Sequence, residues 1–114
     1  QLVELGGEVV EGLLIVQNYD RDDQSERYRD FADAFYKRFQ RQPGYSTVAA
    51  YDATTVVLTS LKNRQRGETL KQAALRSAPY QGLQQTIVFD ANGDTRRQAF
   101  FTRIQNGRYV RLQD

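Results

Sequence analysis

The spacing of apolar residues along the chain predicts a strand, three helices and then a meander of strands. Residues 9–16 (VVEGLLIV) form a β-branched, apolar run after a Gly-Gly pair, which is typical of a buried strand. Apolar residues then recur at spacings of three and four, which places them on one face of a helix. They are Tyr28, Phe31, Ala32, Phe35, Tyr36 and Phe39. Asp23 or Ser25 is expected to cap this helix, and the aromatic stripe is expected to pack in the core.

The elements that follow are predicted from capping residues and composition. Residues 47–62 (TVAAYDATTVVLTSLK) are apolar nearly all round, which predicts a helix buried on several sides, with Ser46 as its cap. Thr69 is expected to begin a short helix over residues 70–77. Strands are predicted at residues 86–90, 98–104 and 108–112.

Two Asn-Gly pairs predict hairpin turns between these late strands, at Asn92-Gly93 and Asn106-Gly107, because both residue types tolerate positive φ. The strand at residues 9–16 is separated from them by all three helices. The chain also begins at Gln1, shortly before that strand. We therefore expect a piece of a longer protein, whose N-terminal sequence supplies the rest of a sheet.

The composition excludes several kinds of chemistry. The 114 residues contain no His and no Cys, so imidazole bases, thiol nucleophiles, disulfides and thiolate zinc sites are ruled out within the chain. A net charge of +2, from 16 basic and 14 acidic residues, describes a mixed surface and not a nucleic-acid footprint. The short basic pairs are interpreted as solvated surface; they are Arg64 with Arg66 and Arg96 with Arg97.

The segment DANGD resembles the start of a calcium-binding loop. Asp90, Asn92 and Asp94 occupy its first, third and fifth positions. Gly93 stands at the fourth position instead of the sixth, and Phe101 stands where the loop requires Glu. A hairpin turn is therefore the favoured interpretation.

Other acidic residues have structural alternatives as well. Asp20, Asp22 and Asp23 could bind a hard cation, but a solvated loop that complements the dipole of the following helix is favoured. Asp52 and Glu68 could be paired carboxylates for glycoside hydrolysis, yet nothing in the sequence sets the distance that this chemistry needs. We predict neither a metal site nor catalysis.

Tyr51 is the candidate ligand contact. It lies on the apolar helix predicted at residues 47–62, directly after Ala49 and Ala50, where its ring and hydroxyl could both face a ligand. The alternative is a buried tyrosine whose hydroxyl meets a backbone carbonyl. The sequence pattern by itself favours the buried tyrosine.

Four segments together resemble one protein family. They are GEVVEGLL with the following NYD at residues 7–20, FYKRFQRQPGY at 35–45, AAYDA at 49–53, and FDANGD at 89–94. In this order and spacing, they resemble the C-terminal third of type I periplasmic solute-binding proteins, of the leucine/isoleucine/valine-binding group.

The resemblance implies an α/β fold with two Rossmann-like lobes joined by three crossovers, of which this chain is the C-terminal segment with three helices and a short β meander. Residues 1–17 would belong to the second lobe, residues 18–95 to the first, and residues 96–114 to the second again. Asn18, Tyr19 and Asp20 would form a hinge, with a return near residues 96–99. The tyrosine of the YDA-type motif can face the cleft in this family, which makes Tyr51 the ligand-binding candidate.

The function implied is binding, without catalysis or a cofactor. An amino acid or similar small solute would be captured outside the cytoplasm by hinge closure and delivered to the membrane subunits of an ABC importer. The alternative is a ligand-sensing input domain of a membrane receptor. We also expect the isolated chain to self-associate through its strands or to remain bound to the missing N-terminal part, because unpaired strand edges and apolar faces favour pairing.

Overall fold

The computed structural model describes residues 2–113, and the backbone in that range forms two compact units. One unit consists of residues 2–19 and 98–113, and the other consists of residues 20–97. The chain therefore passes between them twice, after Tyr19 and after Arg97. Gln1 and Asp114, the outer ends of the predicted segments 1–17 and 96–114, lie outside the described residues. The assignment of these segments to two lobes of a larger fold stays a prediction.

Helices and strands are mixed along the chain, as predicted. In chain order they are α1 (Leu2–Gly6), a 3₁₀ turn (Gly7–Val10), β1 (Leu14–Gln17), α2 (Glu26–Phe39), α3 (Tyr45–Asn63), α4 (Leu70–Arg76), β2 (Tyr80–Gln81), β3 (Thr86–Ile87), β4 (Phe100–Gln105) and β5 (Arg108–Arg111).

The unit of residues 2–19 and 98–113, called the sheet unit, contains an antiparallel sheet with the order β1-β4-β5. The early strand thus pairs with β4, a strand from the far end of the chain. β4 and β5 are joined by the predicted turn at Asn106-Gly107, where both residues have positive φ. The Glu11 carboxylate closes this turn, since it accepts the backbone N–H groups of Asn106 at 2.7 Å and Gly107 at 3.3 Å.

The strand predicted at residues 9–16 is wrong in its first half. Val9 and Val10 lie in the 3₁₀ turn, Val9 is 93% exposed, and β1 begins only at Leu14. Gly12 adopts φ of +81°, which interrupts an extended backbone. The turn also brings Glu11 to the Asn106-Gly107 hairpin, a tertiary interaction that a count of apolar residues does not reveal.

The unit of residues 20–97, called the helical unit, contains α2, α3, α4 and the β2–β3 hairpin. Two predicted caps are confirmed. Ser25 Oγ accepts the N–H of Tyr28 at the start of α2, and Thr69 exchanges side-chain and backbone hydrogen bonds with Gln72 at the start of α4.

Ser46 as the cap of α3 is wrong. The helix begins at Tyr45, and Gly44 is its N-cap. The Gly44 carbonyl accepts the N–H of Val48 at 3.1 Å, while the Thr47 hydroxyl accepts the N–H of Gly44 at 3.4 Å. Because the first intrahelical bond already runs to the Gly44 carbonyl, the helix starts earlier than the sequence pattern indicated.

One stripe of α3 is buried, at a spacing of four: Val48, Asp52, Val56 and Ser60. Val56 packs with Tyr80 and Ile87 of the hairpin in the core. The predicted burial on several sides is wrong, since Leu58 is 61% exposed and Val57 and Leu61 are also exposed. The packing partners of α3, which include α4 and the hairpin, leave that part of its surface uncovered.

The late strands also differ from prediction. Thr86 and Ile87 pair with Tyr80 and Gln81, a partner segment that the sequence did not indicate. The predicted strand at residues 86–90 then changes partner, and Phe89 forms a single bridge with Thr95 across the Asn92-Gly93 turn. Only Thr86 and Ile87 therefore form a regular ladder, and the rest of the predicted strand does not continue it.

Candidate functional site

A pocket of about 540 Å³ opens on the helical unit. One face of α2 forms most of its wall, and α3 and the loop after β2 contribute one residue each. The lining residues are Arg27, Asp30, Phe31, Ala34, Phe35, Arg38, Phe39, Tyr51 and Leu83. The lining is mainly apolar with a few charged groups, a character that small-molecule pockets commonly share.

The aromatic rings in this pocket contact one another in sequence. The Tyr51 and Phe31 ring centroids are 4.8 Å apart, those of Phe31 and Phe35 are 6.0 Å apart, and those of Phe35 and Phe39 are 4.5 Å apart. These separations fall in the range of favourable aromatic pairs. The rings therefore hold one another in place while they line the pocket.

Tyr51 is 45% exposed, so the alternative of a buried structural tyrosine is wrong for this chain. The expected core packing of the α2 stripe is confirmed for Tyr28, which is 5% exposed. It is wrong for Phe39, which is 50% exposed. The stripe is therefore divided among the core, the pocket wall and, at Tyr36, the exposed surface outside the pocket.

Charged groups stand beside these rings. Arg27 donates from Nη2 to the carbonyl of Gln81 at 3.0 Å, which ties α2 to the end of β2. The Arg38 guanidinium carbon lies 5.6 Å from the centre of the Phe39 ring. With Asp30, these groups give the pocket charges of both signs next to an apolar wall.

Asp52 follows Tyr51 on α3 and is only 3% exposed. Its Oδ1 accepts the N–H of Leu83 at 2.9 Å, and its Oδ2 lies 4.0 Å from Nη1 of Arg97. The loop approaches the carboxylate so closely that a Cβ at Gly82 would lie 2.8 Å from Oδ2. Asp52 therefore positions the loop that places Leu83 in the pocket, a role that the sequence pattern did not indicate.

The predicted hinge residues lie where the chain first passes between the units. Asn18 and Tyr19 end one segment of the sheet unit, and Asp20 begins the helical unit. The side chain of Gln84 binds the backbone of Asp20 twice: Oε1 accepts its N–H at 3.1 Å, and Nε2 donates to its carbonyl oxygen. Movement at this point stays a prediction.

The acidic loop residues bind local backbone groups. Asp20 Oδ1 accepts the N–H of Asp22 at 3.0 Å, and Asp23 Oδ1 accepts the N–H of Ser25 at 2.8 Å. Asp90 Oδ1 likewise accepts the N–H groups of Asn92 and Asp94 in the predicted hairpin turn. Among residues 2–113, no group of three or more acidic side chains converges as a metal site would require.

Asp52 and Glu68 have separate partners. Glu68 forms an ion pair with Arg76, with Nε of Arg76 2.8 Å from its Oε1. The hydrogen bonds from Arg76 and from the backbone of Gln65 lower the pKa of Glu68 from 4.5 to about 2. The hydrogen bond that Arg76 donates to Glu68 in turn raises the pKa of Arg76. This pair joins the loop before α4 to the end of that helix.

A sequence profile described as periplasmic binding protein matches residues 1–108. The chain belongs to the periplasmic binding protein family. The resemblance found in the four sequence segments is thereby confirmed, and so is the fold class that it implied. In the part of the chain that the structure describes, no helix combines the length and apolar character needed to cross a membrane.

Solved structures of this family share the fold. An ABC transporter substrate-binding protein from Desulfitobacterium hafniense, in complex with Leu, has 25% identity and a TM-score of 0.80, and the match covers 90% of this chain and 32% of that one. A leucine-binding protein from Thermotoga maritima has 24% identity and a TM-score of 0.78, with 98% and 33% covered. A solute-binding protein from R. palustris, in complex with benzoate, has 17% identity and a TM-score of 0.74, with 97% and 32% covered.

The chain thus spans about a third of the length of the structures that it matches. No curated protein sequence matches it. The profile match shows the family, and these structures show the fold.

Proposed function

We propose that this chain is part of an extracytoplasmic protein that binds an amino acid or similar small solute for an ABC importer. The single observation that carries the proposal is the exposed ring of Tyr51 in an open pocket, next to the charged side chains of Arg27, Asp30 and Arg38. An amino acid with an apolar side chain combines the same two characters, an apolar part and charged groups.

The mechanism proposed is reversible capture by closure, without covalent chemistry. Tyr51 would contribute an apolar surface and a hydroxyl, and the pair with Phe31 would keep the ring from turning away. Residues 18–20 and the return after Arg97 would act as the hinge between two lobes. The solute would then pass to the membrane subunits of the importer.

The relative from Desulfitobacterium hafniense supports an amino acid as the first ligand to test, since it is an ABC transporter substrate-binding protein in complex with Leu. Its description as a transporter component also favours import over the sensing alternative. The benzoate complex of another neighbour makes benzoate a useful second probe, because it has a carboxylate but no amino group.

The test is calorimetric titration of the complete polypeptide that contains this chain, with L-leucine as the first probe and benzoate as the second. Tyr51→Ala is expected to weaken binding roughly 10- to 100-fold, because a pocket aromatic contributes about 1–3 kcal/mol when its apolar surface is covered. Tyr51→Phe, which keeps the ring, is the matched control and should lose less.

Thermal unfolding of the same variants separates binding from stability. A half-exposed Tyr51 predicts a small change in melting temperature for both substitutions. Unchanged leucine and benzoate affinity in Tyr51→Ala would contradict the proposed site. Failure of the wild-type protein to bind either probe would contradict the proposed ligand class.

A further inference from the structure

The two chain ends of the helical unit are linked to one buried side chain. This unit begins at Asp20 and ends at Arg97, the two residues through which it connects to the rest of the chain. Asp52 lies between them in sequence and is 3% exposed on α3. Nothing in the solute-binding proposal uses its carboxylate.

One set of contacts leads from Asp52 to Asp20. Oδ1 of Asp52 accepts the N–H of Leu83 at 2.9 Å, which fixes the backbone of the loop after β2. The next residue, Gln84, then binds the N–H and carbonyl oxygen of Asp20 with its amide group. The orientation of Gln84 depends on the loop. The hydrogen bond from Leu83 to Asp52 therefore supports the two hydrogen bonds between Gln84 and Asp20.

A second contact leads from Asp52 to Arg97. The 4.0 Å separation between Oδ2 of Asp52 and Nη1 of Arg97 is too long for a hydrogen bond, but the two groups form an ion pair in which the carboxylate is buried. Arg97 is itself partly covered, with 25% of its side chain exposed. Such a pair is screened less than one at the surface.

Gly82, in the loop after β2, leaves space for the Asp52 carboxylate. A Cβ on Gly82 would lie 2.5 Å from the carbonyl oxygen of Gln85 and 2.8 Å from Oδ2 of Asp52, both closer than Cβ atoms approach other groups. The glycine therefore permits the close approach of backbone and carboxylate. A buried carboxylate needs such bonded partners, because burial without them is costly.

We propose that Asp52 is a positioning residue that holds both connections of the helical unit, Asp20 through the loop and Gln84, and Arg97 through charge. The importance of this positioning role for solute capture rests on the proposed function, since closure by a hinge requires that the two connections keep defined positions. The link itself is a property of the chain alone and can be measured without ligand.

Hydrogen exchange, followed by NMR on the complete polypeptide that contains this chain, without ligand, tests the link. Asp52→Ala is expected to speed exchange roughly tenfold at the amides of Leu83 and Asp20, which corresponds to about 1.4 kcal/mol, because it removes the charged acceptor of the Leu83 N–H. Gln84→Ala is the matched control: it should speed exchange at Asp20 and leave Leu83 protected. The amide of Ala73, in α4, reports general destabilisation and should stay unchanged in both variants.

The double variant and the conservative variant sharpen the test. If the loop transmits the effect, Asp52→Ala with Gln84→Ala should speed exchange at Asp20 no more than Gln84→Ala alone. Asp52→Asn keeps an oxygen for Leu83 and should restore protection at Leu83 and Asp20. It should still increase the mobility of Arg97 Nε in a heteronuclear NOE measurement, since the charge is gone.

Several results would overturn the proposal. One is an Asp20 amide that exchanges at the wild-type rate in Asp52→Ala. Another is a double variant in which the accelerations of Asp20 exchange caused by the two single substitutions multiply. Equal acceleration at Ala73 would show that Asp52 only stabilises the unit as a whole. If Arg97 Nε remained as ordered in Asp52→Asn as in the wild type, the charge of Asp52 would not hold Arg97, and the second connection would be disproved. None of these readings depends on whether leucine or benzoate binds.

Discussion

The helical unit packs a core between α3 and the β2–β3 hairpin, whereas the sheet unit leaves one face of its sheet exposed. In the helical unit, Asp52 and Ser60 are buried and each has hydrogen-bond partners, with Ser60 Oγ 2.8 Å from the hydroxyl of Tyr80. In the sheet unit, a row of apolar side chains on one face of the sheet is exposed. These are Leu14, Val16, Phe101 and Val110, with exposures of 52%, 60%, 55% and 40%.

The pairing register explains the exposed row. Val16 lies opposite Phe101, and Leu14 lies opposite Arg103, which in turn lies opposite Val110. Neighbouring residues along a strand point to opposite faces, so Ile15, Thr102 and Ile104 face the covered side. The helical unit therefore has a core cluster of its own, although part of α3 is exposed, while one whole face of the sheet presents apolar surface that is suited to burial against another surface.

The largest expected effect comes from the one fully buried apolar side chain of the described sheet residues. Ile104 has no exposed surface, and Ile104→Ala should lower the free energy of unfolding by about 2–5 kcal/mol. Hydrogen exchange should lose protection in β1, β4 and β5 and keep it in α3. Ile87→Ala, a matched deletion in the helical unit, should lower protection in α3 and leave it in β1, β4 and β5. Equal loss of protection in both units would show that the two units do not have separate cores.

A smaller effect is expected from the buried hydroxyl network. The Tyr80 hydroxyl lies 2.8 Å from Ser60 Oγ and donates to the carbonyl of Ala74 at 2.7 Å. Tyr80→Phe removes both bonds but keeps the ring, so the unfolding free energy should fall by about 1–3 kcal/mol in urea titration. Tyr36→Phe, at a position 46% exposed, is the control and should change it little. A neutral Tyr80→Phe would show that packing alone holds this core.

Substitutions on the exposed face of the sheet should change self-association while they hardly change stability. Light scattering over a dilution series is expected to show self-association of the chain, because the exposed sheet face and its edges can pair with another copy. Val16→Thr with Phe101→Thr should shift the chain towards monomer, with a stability change within about 0.5 kcal/mol. Leu58→Gln, at an exposed position of α3, should leave association as it is. A wild-type chain that stays monomeric throughout would contradict the expectation.

The smallest effect concerns the ion pair of Glu68 and Arg76. The folded pKa of Glu68 lies below its ordinary value, so its contribution to stability is present above pH 4.5 and is lost as pH falls towards about 2. NMR titration of the Glu68 carboxyl carbon should give a midpoint near pH 2, and Arg76→Gln should raise it. A midpoint near 4.5 in the wild type would show that the pair does not persist in solution.

Helix caps and hairpin turns could be predicted from the sequence, because they form through interactions between residues that are close along the chain. Ser25 and Thr69 were recognisable as caps, since each bonds backbone groups within its own first turn. Asn106-Gly107 was recognisable as a hairpin turn, because its positive φ angles depend on the residue types themselves. The four family segments likewise predicted the α/β fold that the profile and structures confirm.

Tertiary structure decided what depends on distant partners. Gly12 and the contact of Glu11 with the Asn106-Gly107 turn shorten the first strand, although its apolar run continues back to Val9. The same reason applies to the site. Tyr51 was recognisable as an unusual residue on an apolar helix, but its exposure depends on Phe31 and on the loop that Asp52 holds. Periodicity records which face of an element a residue occupies, and only the packed chain decides what lies opposite that face.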